Sequence, residues 1–136
     1  MTPRQIQLVR DTFPSLIEMP GAAAQLFYGR LFQQNPGLRP MFRGDIRVQG
    51  VKLMDMLQSM VENLESFDSR IPALQALGQR HAGYGVKPEH YAMVLDSFLW
   101  MMAKALDREF TPEVRAAWTE LMTKVAGAMT SQLPEE

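Results

Sequence analysis

The chain predicts an all-α protein of about seven helices, and three observations carry that prediction. No stretch alternates apolar and polar residues with period two over a useful length. Leucine, alanine and methionine outnumber the β-branched residues, and apolar residues recur at three- and four-residue spacing along the chain. Its proline breaks set it apart from an up-and-down bundle of four long helices.

Each element follows from local chemistry. Thr2, with Pro3 next and Gln5 three places on, is a capping-box start. The first helix carries Ile6, Val9, Phe13 and Leu16 at helical spacing, and Pro14 kinks or stops it. "MPG" restarts the chain at Met19, and a second helix runs through Ala23, Phe27, Tyr28 and Leu31. The two prolines and the glycine of "NPGLRPMF" predict a short helical turn, followed by "RGDIR" as a loop. A helix from about Val48 to Leu64 shows Leu53, Leu57, Met60, Val61 and Leu64 on one stripe. "ESFDS" interrupts it, and Ile71, Leu74, Leu77 and His81 then share a face. Gly83 and Gly85 are expected to end that helix in the left-handed conformation. The next helix should span Pro88 to Leu106, with "FLWMM" buried on all sides. Thr111 caps the last helix with Pro112 at its first position, and Val114, Trp118, Leu121, Met122, Val125 and Met129 form its inner stripe.

Composition removes several function classes. The 136 residues suit one domain, 1–136, with no reductase domain. A net charge of -1 with no basic block argues against nucleic acid as a partner. The absence of cysteine excludes disulfides, thiolate metal sites and cysteine nucleophiles. The longest apolar run, Phe98 to Ala103, is far too short for a membrane span. The start, "MTPRQIQLVRD", reads as a capped helix rather than a signal peptide, so the cytoplasm is the expected location.

Both histidines fall within "LGQRHAGYGVKPEHY". His81 closes an apolar face and points inward, whereas His90, beside Lys87, Pro88 and Glu89, reads as exposed. Taken alone, an inward histidine is more often a core residue bonded to a carbonyl than a ligand. A zinc site would need further ligands close by, and no HExxH pattern surrounds either histidine. A metal that brings four ligands of its own and takes one from the protein fits better, which is heme. Tyr28 taken alone is equally an interfacial tyrosine, and Gln49 a solvated helix residue. The eleven methionines, Met41, Met54, Met56, Met60 and Met122 among them, read mainly as core filler.

"LGQRHAGYGVKPEHY" resembles the proximal-histidine segment of the globins. More closely, the chain resembles bacterial single-domain globins of the flavohemoglobin lineage, the Hell's Gate type included. "LFYGRLFQQNPGLRPMF" resembles that lineage's second helix and following turn, "QGVKLMDML" its distal helix, and "FTPEVRAAWTELM" the start of its last helix. The intervals Tyr28–Pro36, Pro36–Phe42 and Gln49–His81 agree as well.

The resemblance implies a three-over-three helical sandwich around heme b, iron protoporphyrin IX. It makes His81 the iron ligand and Phe42 the ring stacked on the porphyrin. Tyr28 and Gln49 become distal hydrogen-bond donors to bound oxygen, with Leu53 over the open iron position. Leu77, Val86, Tyr91 and Val94 then line the proximal side, and Lys52 and Arg80 reach the propionates. The implied function is reversible binding of O2, and of NO and CO, at a five-coordinate ferrous iron, with oxygen transport as one use. Nitric oxide dioxygenation with a separate reductase is the alternative, and peroxidase chemistry a side activity. Two departures from that lineage are expected, the lack of its flavin and nicotinamide reductase domains and the loss of one proximal contact. Flavohemoglobins carry a late glutamate that, with the tyrosine matched by Tyr91, hydrogen-bonds the proximal histidine. Here Leu133 stands at that position, with Glu135 two residues on, after Pro134.

Overall fold

A computed structural model describes residues 1–42 and 44–131. Among these, seven α-helices and three short 3-10 segments form, and no strand. The helices are α1 (Pro3–Thr12), α2 (Pro14–Ile17), α3 (Pro20–Gln34), α4 (Ile46–Glu62), α5 (Ile71–Gly83), α6 (His90–Leu106) and α7 (Pro112–Thr130). The 3-10 segments are Pro36–Met41, Leu64–Arg70 and Asp107–Glu109.

Local chemistry accounts for most boundaries. Thr2 Oγ1 accepts from Gln5 N at 3.1 Å while Gln5 Oε1 accepts from Thr2 N at 3.0 Å, completing the capping box. Thr111 Oγ1 caps α7 by accepting from Val114 N at 3.2 Å. Three boundaries differ from expectation. Helix α4 begins at Ile46, because Asp45 accepts from Arg47 N at 2.8 Å and caps it there. Helix α6 begins at His90 rather than Pro88, since Pro88 belongs to a turn in which His90 N donates to Lys87 O at 2.9 Å. Gly83 is the last residue of α5, and of the two expected glycines only Gly85 takes a positive φ, +94°. That turn lets Gly85 N donate to Ala82 O, and Val86 N to His81 O, both at 3.0 Å.

Helices α3, α6 and α7 pack in sequence as one layer, and α4 lies against α3 while α1 and α5 lie against α7. The result is a three-over-three sandwich with its core between the layers. Two glycines set how closely the layers approach. A Cβ on Gly50 would lie 2.7 Å from Ala24 Cβ, so α4 crosses α3 nearly in backbone contact. A Cβ on Gly78 would fall 1.8 Å from the Met129 carbonyl oxygen, so α5 touches the backbone of α7. Deep between α1 and α7, the Trp118 indole donates to Thr12 Oγ1 at 2.8 Å, and that hydroxyl donates to Leu8 O at 2.7 Å.

The "FLWMM" stretch is not buried on every side. Phe98, Leu99, Met101 and Met102 are buried, but Trp100 is half-exposed. Arg30 and Lys104 lie over its ring at 5.1 and 5.5 Å from the centroid. Helix α6 packs on α3 and α7, which leaves one strip facing outward. An aromatic ring is tolerated on that strip because two cations cover its face. No helix among the described residues is long and apolar enough to cross a membrane.

Candidate cofactor pocket

A cavity of about 290 Å³ opens between α4 and α5, with α3, α6 and α7 completing its wall. Its lining is overwhelmingly apolar, and its size is near the lower end of ordinary ligand pockets. Tyr28 from α3, Phe42, Leu53 from α4, Leu77 and His81 from α5, Val86, and Tyr91 and Val94 from α6 all contribute to that wall. Val86 enters through the positive-φ turn at Gly85, which folds the chain back after α5.

His81 is a side chain of this wall that could hold a cofactor's metal. Its Nδ1 lies 2.9 Å from Leu77 O, one helical turn back. A carbonyl only accepts, so Nδ1 holds the proton and the Nε2 lone pair is left unprotonated. Burial pushes the imidazole pKa down, against the raising effect of the Leu77 hydrogen bond, and the Arg80 charge lowers it further. The ring is therefore neutral at neutral pH, the form that binds metals.

Tyr28 is held from three sides by aromatic rings. Phe27 and Phe42 meet it edge-on, with centroids at 4.9 and 5.6 Å, and Phe32 stacks at 6.0 Å. Burial pushes its phenol pKa up to about 12, so the hydroxyl keeps its proton at neutral pH and can donate. Burial raises the Tyr91 pKa as well, and the Tyr91 hydroxyl is buried with no hydrogen-bond partner among the described residues. Leu133 and Glu135, the positions weighed against the late glutamate, lie outside the described residues.

Three sequence-predicted site residues are not part of the wall. Gln49 is half-buried on α4, one turn before Leu53, while Lys52 and Arg80 are exposed. Conversely, Met56, Leu95, Met122 and Met129 line the cavity. Met122 and Met129 sit on the inner stripe of α7, where periodicity marks burial without telling core from cavity. His90 also lines it, half-buried, which corrects the expectation that it is exposed. Its charged and proline neighbours suggested solvent. In the structure the His90 ring folds back on that turn, its Nδ1 accepting from Lys87 N at 3.0 Å, and this partly covers it.

Among the described residues, no group of three or more histidine, cysteine, aspartate or glutamate side chains could hold a metal ion. A cleft whose imidazoles are those of His81 and His90 offers too few donors for a bare cation. It suits a metal that carries its equatorial ligands in a flat, apolar macrocycle.

A three-over-three helical sandwich closing on an apolar cleft, with the His81 imidazole in its wall, is the architecture of a globin. The globin family model matches residues 25–129, and the chain belongs to that family. It is 27% identical over 128 residues to a flavohemoprotein of Bacillus subtilis, an alignment covering 92% of this chain and 32% of the relative. It is 26% identical over 122 residues to a flavohemoprotein of Vibrio cholerae, covering 88% and 31%. The chain thus spans about a third of the length of these curated relatives. Among solved structures it superposes with TM-score 0.87 on an engineered carbene transferase from Rhodothermus marinus, assigned provisionally as a nitric oxide dioxygenase. That match has 23% identity and covers 97% of this chain and 92% of the other, which speaks to the fold alone.

Proposed function

We propose that this globin binds iron protoporphyrin IX through His81 and takes up diatomic gases reversibly, oxygen first and also NO and CO. The observation that carries this reading is the His81–Leu77 hydrogen bond. It leaves a neutral imidazole with its free lone pair in a cleft lined by Phe42, Leu53, Leu77, Val86, Tyr91 and Val94. Membership of the globin family and the flavohemoprotein relatives support heme as the cofactor. When bound, heme supplies an iron with one open position for a diatomic ligand.

The chain's own residues do the rest. His81 holds the metal, and its bond to Leu77 keeps the ring oriented and makes the ligating nitrogen more basic. Tyr28 donates a hydrogen bond into the cavity, where a polarised diatomic gas carries partial negative charge. Gln49, a turn before Leu53, is the second donor in this reading. The apolar lining keeps water from competing for both.

Absorption spectra of the hemin-loaded protein in ferric, ferrous, oxygenated and carbonylated forms test the proposal. The expected ferrous spectrum is five-coordinate and shifts on adding oxygen or CO. A chain that develops no Soret band with added hemin is not a heme protein, and the reading fails. The flavohemoprotein relatives support a second reading, conversion of nitric oxide and oxygen to nitrate with a separate reductase. Sustained turnover of nitric oxide with such a reductase distinguishes it from simple gas binding.

A further inference from the structure

Folding sorts the eleven methionines into three groups. Met54, Met60, Met101, Met102 and Met129 are at most 6% exposed. Met1, Met19 and Met93 keep surface exposure but do not line the cavity. Met41, Met56 and Met122 are half-buried, and all three line it. They enter the wall from separate elements: the 3-10 segment Pro36–Met41, α4 and α7. Core filling accounts for the first group, whereas the third stands in the wall of an open cleft.

In a chain without cysteine, the thioether is the side chain that takes up an oxygen atom most readily. Whether it does so depends on contact with the oxidant, which the five closed methionines lack. Heme, when bound, supplies iron that activates peroxide inside the same cavity. We propose that Met41, Met56 and Met122 are an oxidation site of the cofactor-loaded protein, with hydrogen peroxide as co-reactant and methionine sulfoxide as product. This inference rests on the heme reading above. In each event the sulfur gives a lone pair to one peroxide oxygen, an S–O bond forms and the O–O bond breaks. Sulfur loses two electrons, and the second oxygen leaves as water with both hydrogens. Each wall methionine thus removes one peroxide. The sulfoxide is polar in an otherwise apolar lining, so each oxidation also makes the cofactor's seat less apolar.

The test loads the protein with iron protoporphyrin IX or with zinc protoporphyrin IX, which has the same shape but does not exchange electrons with peroxide. Both samples meet the same modest excess of hydrogen peroxide in the dark, and catalase ends the reaction. Peptide mass mapping then scores each methionine for one added oxygen. Met41, Met56 and Met122 should oxidise about tenfold faster or more with iron than with zinc. Met19, which is 67% exposed, should oxidise equally in both samples, and Met54, Met60, Met101 and Met102 should stay reduced. Equal rates at the three wall methionines with iron and zinc overturn the assignment. So does iron-dependent oxidation of the closed methionines to the same extent, which means diffuse damage. Wild type that takes up neither tetrapyrrole overturns the heme reading itself, an outcome visible in the Soret band before any peroxide is added.

Discussion

His81 Nδ1 and the Leu77 carbonyl oxygen lie 2.9 Å apart, one turn of α5 from each other. Both residues also line the cavity, so the group that fixes the tautomer belongs to the same helix as the ring it orients. His81→Ala should abolish stable hemin binding while leaving the helical circular dichroism intact. Imidazole added to the solution should restore part of the Soret absorbance. A variant that holds hemin as tightly as the parent, with the same spectrum, shows that His81 is not the ligand.

Tyr28 lines the cavity from α3, and its phenol is protonated throughout the neutral range, as the proposed donor must be. Tyr28→Phe removes only the hydroxyl and keeps the contacts with Phe27, Phe32 and Phe42. Oxygen should then leave about tenfold faster or more, equivalent to about 1.4 kcal/mol of lost stabilisation. Flash photolysis or stopped-flow displacement measures this rate, and no change removes Tyr28 from the mechanism. Gln49→Leu tests the second donor separately and should have a smaller effect, because Gln49 does not line the cavity.

The Gly78 contact with Met129 predicts a large stability effect at a residue that does no chemistry. An added Cβ meets a carbonyl oxygen, which cannot rotate aside as a side chain can. Gly78→Ala should destabilise the protein by about 3 kcal/mol, at the upper end of overpacking effects. Since Met129 lines the cavity, hemin affinity should fall too. Gly50→Ala should be milder, because its neighbour is the Ala24 methyl. Urea unfolding of the two variants checks the order.

Thr12 and Trp118 form a buried polar pair inside an apolar core. Thr12→Val keeps the shape but strands the indole N–H, with an expected loss of about 1 to 3 kcal/mol. Thr12→Ser keeps the acceptor and should recover much of that loss. Equal stabilities for Thr12→Val and wild type in thermal melts refute the pairing.

The Glu65 carboxyl is held near pH 2, chiefly by its side-chain hydrogen bond from Arg10, which also donates to Val61 O. Its folded pKa is depressed, so its contribution is present above the ordinary value of about 4.5 and disappears as pH falls toward about 2. Glu65→Gln should therefore flatten the fall in stability across that window and leave the curve above pH 6 nearly parallel to wild type. The pair is exposed, so the difference should shrink in high salt. Chemical unfolding at a series of pH values tests the sign.

Residues governed by near neighbours were the legible ones. The capping box at Thr2 and Gln5, the stop at Pro14 and the cap at Thr111 depend on groups a few positions away, so short motifs reveal them. Leu74, Leu77 and His81 share a face because the helical period puts them there. The neighbours of His90 misled, since Lys87, Pro88 and Glu89 describe the turn and not the ring that follows it. Trp100 was misplaced for a similar reason: an all-apolar run says nothing of which side lacks a partner helix.

The sequence by itself determined the helical class, most of the caps and the inward face that carries His81. All of these follow from interactions within one or two turns of chain. Only the tertiary structure decided that Gly50 and Gly78 are the close-contact points, that His90 joins the cavity wall, and that Gln49, Lys52 and Arg80 do not line it. Those outcomes depend on how far apart helices distant in sequence come to rest. That spacing is set by the whole packed layer, through volume and backbone contact, and no local motif encodes it.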